Sequence, residues 1–158
     1  MATKYGGTPM IDEFDKRILE QLQRDNRQSM GAIGDSVGLS EPAVRRRVKR
    51  LRDAGYIIAD VSLIDPQRAG ITVIVSIRFE KESHQTYERF KAEMAQTPQI
   101  TQCYTVTGDE DFILIGHFSD MLSYEAWIND RILSNRDISR STTNVVYSRV
   151  KYKTAIEL

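Results

Sequence analysis

Arg45, Arg46, Arg47, Lys49, Arg50 and Arg52 fall within the fourteen positions from Ser40 to Asp53, where Glu41 and Asp53 are the acids. The whole chain of 158 residues carries 22 basic and 22 acidic side chains, a formal net charge of zero. A cationic stripe on a neutral protein is therefore a placed patch, and its position says more than the total. Arginine forks match the O6 and N7 edge of guanine, and lysine or a flanking arginine neutralises phosphates. The chemistry on offer is recognition of double-stranded DNA rather than bond making. A solvated helix face would mix signs at four-residue spacing. This one has six like charges and few acids to pair them, so a waiting polyanion is the preferred reading over a plain surface helix.

The stripe needs an element to carry it. Val44, Val48 and Leu51 recur at i, i+4 and i+7, which defines the buried side of a helix. Ser40 is placed to cap it, Pro42 suits its first turn, and Gly55 ends it. On that wheel Pro42, Arg46, Lys49 and Arg50 face away from the apolar side, with Arg45 and Arg47 at the flanks. Two shorter patterns precede it. Asp12 can cap a helix of about four turns with Ile11, Phe14, Ile18, Leu19 and Leu22 on one side. Ser29 can cap a second with Met30, Ile33 and Val37, stopped by Gly38 in a left-handed conformation. The expectation is helix, tight turn, helix, with the second helix shaped for the major groove.

Two segments, IDEFDKRILEQLQRDNR and IGDSVGLSEPAVRRRVKRLRDAGYI, carry a resemblance. They resemble the N-terminal winged helix-turn-helix of the leucine-responsive/asparagine-operon regulator (Lrp/AsnC) family. The matching positions include Asp12, Asp15, Ile18, Leu19, Leu22, Val37 to Ser40, Val44, Arg46 to Leu51 and Gly55. Gly34 departs from the pattern, because the family usually has alanine where the two helices approach. Glycine fits that gap at about 1 kcal/mol of helix propensity. The expected DNA contacts are Ser40, Pro42, Arg45, Arg46, Arg47, Lys49 and Arg50.

Tyr56 to Leu63 is rich in branched apolar residues and reads as a short strand between domains. Asp65-Pro66 makes a turn, and Gly70 closes the segment. Then the period changes to two. Val73, Val75, Ile77 and Phe79 mark a strand. Ser83 caps a helix with Tyr87, Phe90 and Met94, which Thr97-Pro98 stops. Residues 100–107 and 112–118 read as strands either side of a turn at Gly108. Ser119-Asp120 opens a helix with Met121, Tyr124, Ile128 and Ile132, and a last strand is expected over about 142–152. Strand, helix, strand, strand, helix, strand is the split βαβ order of the ferredoxin-like fold, with both helices on one sheet face. The class is α+β. Two helices cannot cover both faces of that sheet, so Ile74, Ile113, Ile115 and Val145 raise the expectation of a dimer.

QCYTVTGDEDFIL and RSTTNVVYSRVKY in this half resemble the same family's C-terminal effector-binding module. That resemblance implies a homodimer that assembles to an octamer, with a small-molecule effector, an amino acid, bound between neighbouring modules. It would place Thr107, Gly108, Asp109 and Asp111 in the effector site, joined by Thr143 and Asn144. A glycine lets backbone amides approach a carboxylate, and Asp111 could take the ammonium group. Read without the resemblance, the same residues make an ordinary hairpin turn. Glu110 stands where the family usually has an aromatic residue, and Asn144 where it has serine, which points to a cationic or polar effector, or none. The organisation expected is a disordered leader over 1–10, a helix-turn-helix domain over 11–55 and a β-rich linker over 56–70. A ferredoxin-like effector-binding and oligomerisation domain follows over 71–158.

No catalytic set, metal site or cofactor is expected. His84 and His117 lie in different elements without ligands at metal spacing. Cys103, the single cysteine, reads as packing, His117 as a half-buried core residue and Trp127 as interface or core. The phosphate-loop, dinucleotide, nucleophile-elbow and zinc-protease patterns do not occur. Apolar runs such as Val73-Ile74-Val75 are far too short to span a membrane. With one cysteine and no apolar leader segment, the cytoplasm is the expected compartment. The reading is a sequence-specific transcriptional regulator, not an enzyme. Two alternatives stand beside it. Siroheme decarboxylases share the two-part fold but depend on histidines, and would leave the arginine helix without a task. A ligand-sensing module with a vestigial DNA half is the other.

Overall fold

The computed structural model describes residues 10–81 and 83–158. The expected leader, residues 1–10, lies outside the described residues except for Met10. The chain divides into two compact units, one ending at Ser62 and including Lys151–Leu158, the other Leu63–Val150.

The first unit holds three helices: α1 (Glu13–Arg24), α2 (Met30–Val37) and α3 (Glu41–Asp53). Each begins where a local acceptor stands. The Asp15 N–H donates to Asp12 Oδ1 at 2.9 Å, and the Asp12 N–H donates back to Asp15 Oδ2 at 3.1 Å, a reciprocal cap that satisfies two orphan donors. Ser29 caps α2 through the Ala32 N–H. Gly38, at φ 79°, ends α2, and both its N–H and that of Leu39 donate to the Gly34 carbonyl. Ser40 occupies the N-cap position of α3 but makes no side-chain capping bond.

Ile18, Leu19, Ile33, Val37, Val44, Val48 and Leu51 form the buried core of this unit. Gly34 sits inside it, and a Cβ there would stand 2.4 Å from the Leu39 carbonyl oxygen. The turn is thus drawn closer to α2 than an alanine side chain allows. Two hydrogen bonds tie the chain's last segment to α1. Gln23 Nε2 donates to the Ile156 carbonyl at 3.0 Å, and the Ile156 N–H donates to Gln23 Oε1 at 2.7 Å.

The expected strand over residues 56–63 is not formed, and among the described residues the first unit contains no strand. Branched residues favour an extended backbone but cannot form a ladder without a partner. A short 3-10 turn at Pro66–Arg68, capped by Asp65, leads into the second unit.

That unit has β1 (Ile71–Phe79), α4 (His84–Ala95), β2 (Ile100–Thr105), β3 (Phe112–Phe118), α5 (Met121–Ile128) and β4 (Ile138–Val145). A π-helical turn, Asn129–Leu133, prolongs α5. The four strands are antiparallel in the order β2-β3-β1-β4. This is the expected ferredoxin-like arrangement. The last strand starts and ends earlier than residues 142–152: its register with β1 runs from Ile138 opposite Phe79 to Val145 opposite Val73, and beyond it the Val146 N–H donates to the Thr72 carbonyl.

Val73, Val75, Ile77, Phe79, Phe112, Leu114 and Phe118 line the helix side of the sheet, against Phe90, Met94, Tyr124 and Trp127. Trp127 is therefore core. Cys103 pairs with Leu114 on edge strand β2 and is exposed, contrary to the packing expected of it.

Cross-strand partners share a face, so the register fixes the opposite one. Ile74 lies between Ile115 and Asn144, Ser76 between Ile113 and Thr142, and Thr72 opposite His117. No element of the second unit covers this face among the described residues. Val145 belongs to the helix side, opposite Val73.

His117 is half-buried there, its Nδ1 3.0 Å from Thr72 Oγ1, and burial pushes its pKa below the ordinary 6.5. A depressed pKa means that the fold favours neutral imidazole. Its contribution to stability is present above the unfolded-state value and is lost as pH falls through the folded one. Between pH 7 and pH 5 the wild-type denaturation midpoint should fall further than that of His117→Gln, and equal falls would dismiss His117 as the source.

Candidate nucleic-acid interface and effector turn

The α3 cations divide into two groups by what they touch. Arg45 pairs with Glu41 and Lys49 with Asp53, both at i,i+4 and both well exposed. Such pairs contribute little, and a phosphate can displace the carboxylate. Arg46 is exposed, and among the described residues it is the one cation of α3 with no carboxylate in ion-pair range. Ser40 and Pro42 are exposed at the start of the helix.

The other group reaches carboxylates outside α3 in the first unit. Arg47 Nη1 donates to Asp12 Oδ2 at 2.7 Å and to Asp15 Oδ1 at 2.9 Å, and its guanidinium lies 5.5 Å from the Phe14 ring centroid. The Arg47 side chain keeps 22% of its exposure. Arg50 donates to the other oxygen of Asp15 while half its side chain stays exposed. Arg52 pairs with Asp60.

The expectation of six like charges with few internal partners is thereby corrected: five of the six are paired. Arg47 in particular pairs with two carboxylates of the α1 start. The Asp15 N–H and then the Arg47 guanidinium hold the Asp12 carboxyl below its usual range, and Asp12 and Asp15 raise Arg47 in turn. Sequence reasoning named Asp12 as a cap but missed its pairing with a cation 35 residues on. Asp-x-x-Asp at a helix start was the available signal, and it reports only the local half of the arrangement.

In the second unit Thr107, Gly108 and Asp109 form an exposed turn between β2 and β3, with Gly108 at φ 128°. Asp111, expected beside them in the effector site, is hydrogen-bonded through both carboxylate oxygens. The Phe79 N–H donates to its Oδ2 at 2.7 Å, and the Tyr87 hydroxyl donates to its Oδ1. Its own N–H donates to the Ile77 carbonyl. Both carboxylate oxygens already fasten the turn to β1 and α4, so a ligand ammonium would have to compete for them. Beside it, Glu110 has a buried oxygen with no hydrogen-bond partner.

The Thr143 hydroxyl meets the Tyr124 hydroxyl on the helix side. Asn144 is on the opposite face, across from Ile74. Strand β1 separates β4 from β3. One copy of the chain therefore does not gather the turn, Thr143 and Asn144 into one pocket. A cleft of about 680 Å³ lies elsewhere, between the end of α4 and α5. Its charges largely answer one another, Arg131 pairing with Glu93 and Asp130, and Trp127 Nε1 is left without a partner.

A helix-turn-helix with an exposed cationic second helix, followed by a ferredoxin-like module, defines a two-part transcription regulator. Residues 11–52 match the AsnC-type helix-turn-helix domain, and residues 72–156 match the Lrp/AsnC ligand binding domain. The chain belongs to the Lrp/AsnC family and is a DNA-binding transcriptional regulator of that type. It is 39% identical to the HTH-type transcriptional regulator y4tD of Sinorhizobium fredii, over 94% of this chain and 89% of that one. With the transcriptional regulator AzlB of Bacillus subtilis it shares 33% identity over 94% and 96%. Among solved structures, a transcriptional regulator of Neisseria meningitidis in complex with L-methionine superposes with a TM-score of 0.85. That match is at 26% identity and covers 93% of this chain and 96% of that one.

Proposed function

We propose that α3 reads operator DNA with Arg45 and Arg46 on base edges, Lys49 and the outer half of Arg50 on phosphates, and Ser40 and Pro42 at the point of entry. Arg47 serves the helix rather than the duplex. The observation that carries this reading is Arg46, exposed and, among the described residues, without a carboxylate in ion-pair range, flanked by Arg45 and Lys49, whose pairs are solvent-facing. Residues 11–55 are the DNA-binding domain and residues 71–158 the effector-binding and oligomerisation domain.

The protein acts in the cytoplasm as a homodimer that assembles further, up to the octamer, and is not an enzyme. The uncovered sheet face with Ile74, Ile113 and Ile115 is the surface a second copy would bury. An amino acid is the effector, held between neighbouring modules at the turn of Thr107, Gly108 and Asp109. Thr143 and Asn144 come from a neighbouring copy, because one copy does not bring them to the turn. The L-methionine bound by the Neisseria meningitidis protein supports this ligand class.

Fluorescence anisotropy with the protein's own promoter region tests the reading. Arg46→Ala should weaken operator binding by about 1–3 kcal/mol, roughly 5- to 150-fold, with the loss concentrated on the base it contacts. Lys49→Ala should weaken binding to all sequences and reduce the slope of log K against log salt by about one. Repeating the titration with each amino acid present identifies the effector as a shift in affinity. Unaltered operator affinity in both Arg45→Ala and Arg46→Ala would remove α3 from the interface.

A further inference from the structure

Asp15 is fully buried, and among the described residues it is the one buried charged side chain. A buried carboxylate is costly unless its oxygens are satisfied by cations or donors. Here Oδ1 receives Arg47, while Oδ2 receives Arg50 and the Asp12 N–H. Both arginines come from α3 and Asp15 from α1, so the three side chains cross-link the scaffold helix to the DNA-facing helix. Asp12 and the Phe14 ring close on Arg47 from outside.

We infer that Asp15 is a specificity-positioning residue: by holding Arg47 and one edge of Arg50 it fixes the roll of α3 and withholds a cation from sequence-blind contact with phosphates. The inference rests on α3 being the DNA-reading helix.

The roll matters because base recognition depends on where a side chain enters the groove, while phosphate contact does not. A guanidinium fork must meet O6 and N7 within hydrogen-bond distance. The wheel places successive residues 100° apart, so a small rotation of α3 carries Arg46 off a base edge. Arg50 is left with donors on its exposed side, aimed by the bond to Asp15. The clamp therefore separates the cations of α3 into one that orients and others that touch DNA. Asparagine in place of Asp15 keeps the size and the acceptor oxygen but loses the charge; Arg50 is released, and Arg47 keeps only the exposed carboxylate of Asp12, a pair that a phosphate can displace.

Operator and random duplexes of equal length, titrated over a range of salt, test this with the full-length protein. Asp15→Asn should bind random DNA severalfold more tightly than wild type, with a salt slope steeper by about one. Its operator-to-random ratio should fall at least tenfold. A merely structural role would weaken both affinities together.

Arg47→Gln is the second variant, should Asp15→Asn not fold. Positioning by Arg47 requires a lower operator-to-random ratio with an unchanged salt slope. Direct phosphate contact by Arg47 would instead flatten the slope by about one and leave the ratio as it was. That result, or a wild-type ratio in a folded Asp15→Asn, overturns the inference. If the wild-type protein itself shows no operator preference, it is the DNA-reading assignment of α3 that fails.

Discussion

Gly70→Ala should cost the second unit about 2–6 kcal/mol, reaching the upper end of what one substitution does. Two separate effects add. Gly70 has φ 129°, a conformation open to glycine and strained for any residue with a Cβ, at about 1–3 kcal/mol. A Cβ built there would also stand 2.0 Å from the Phe118 carbonyl oxygen and 2.8 Å from that of Ser119. Those are backbone atoms of the β3 end, where Phe118 pairs with Ile71, so relief requires shifting the first rung of the β1–β3 ladder. Overpacking of this kind costs about 1–3 kcal/mol.

Gly108 supplies the control. Its φ of 128° is nearly the same, but nothing lies within 4 Å of its Cβ position, so Gly108→Ala should show the backbone effect alone. Trp127, the single tryptophan, is in the second unit's core and reports its unfolding directly. Urea titrations followed by its fluorescence should place the midpoints in the order wild type, Gly108→Ala, Gly70→Ala. Equal midpoints for the two variants would mean that the carbonyls of Phe118 and Ser119 give way freely.

What could be read from the sequence follows the range over which each force acts. Helix starts at Asp12, Ser29, Ser83 and Asp120 are visible because a cap joins residues three apart. The stop at Gly38 is visible for the same reason. The alternation of β1 and β3 survives because both faces are defined within the strand itself. Strand ends are a different matter. Tyr56 to Leu63 has the composition of a strand and no partner, while β4 covers Ile138–Val145, the residues in register with β1. Pairing partners lie tens of residues away, and composition does not name them.

The same limit governs the candidate site. The cationic helix was legible as a period and a charge count. The clamp on Arg47 was not, because Asp15 is 32 residues distant and only the fold brings it there. Asp111 shows the same limit from the other side. Its place in a Gly-Asp turn suggests a free carboxylate, but Tyr87 and the Phe79 N–H claim it. Position in the sequence told which residues carry chemistry, and burial decided which of them spend it on the fold.

Phe112→Ala should have a comparable effect, about 3–5 kcal/mol, for a reason that also reaches the turn. Phe112 is fully buried, and its ring centroid lies 4.9 Å from that of Phe90, 5.2 Å from Tyr87 and 5.8 Å from Phe79. These edge-on and tilted rings leave a cavity of unusual shape when the central one is removed, and the fold cannot collapse into it without moving α4. Tyr87 then loses the surface that orients its hydroxyl toward Asp111. Phe79, whose N–H is the other donor to that carboxylate, loses a neighbour as well. The turn of Thr107, Gly108 and Asp109 should loosen with the core beneath it. Phe112→Leu keeps most of the buried volume and should cost less than about 1.5 kcal/mol. Hydrogen exchange at the Asp111 N–H, which donates to the Ile77 carbonyl, separates the two effects. Faster exchange in Phe112→Ala than in Phe112→Leu, compared at matched global stability in mild urea, is the expected result. Equal exchange there would confine the ring cluster to stability and leave the turn held by Asp111 alone.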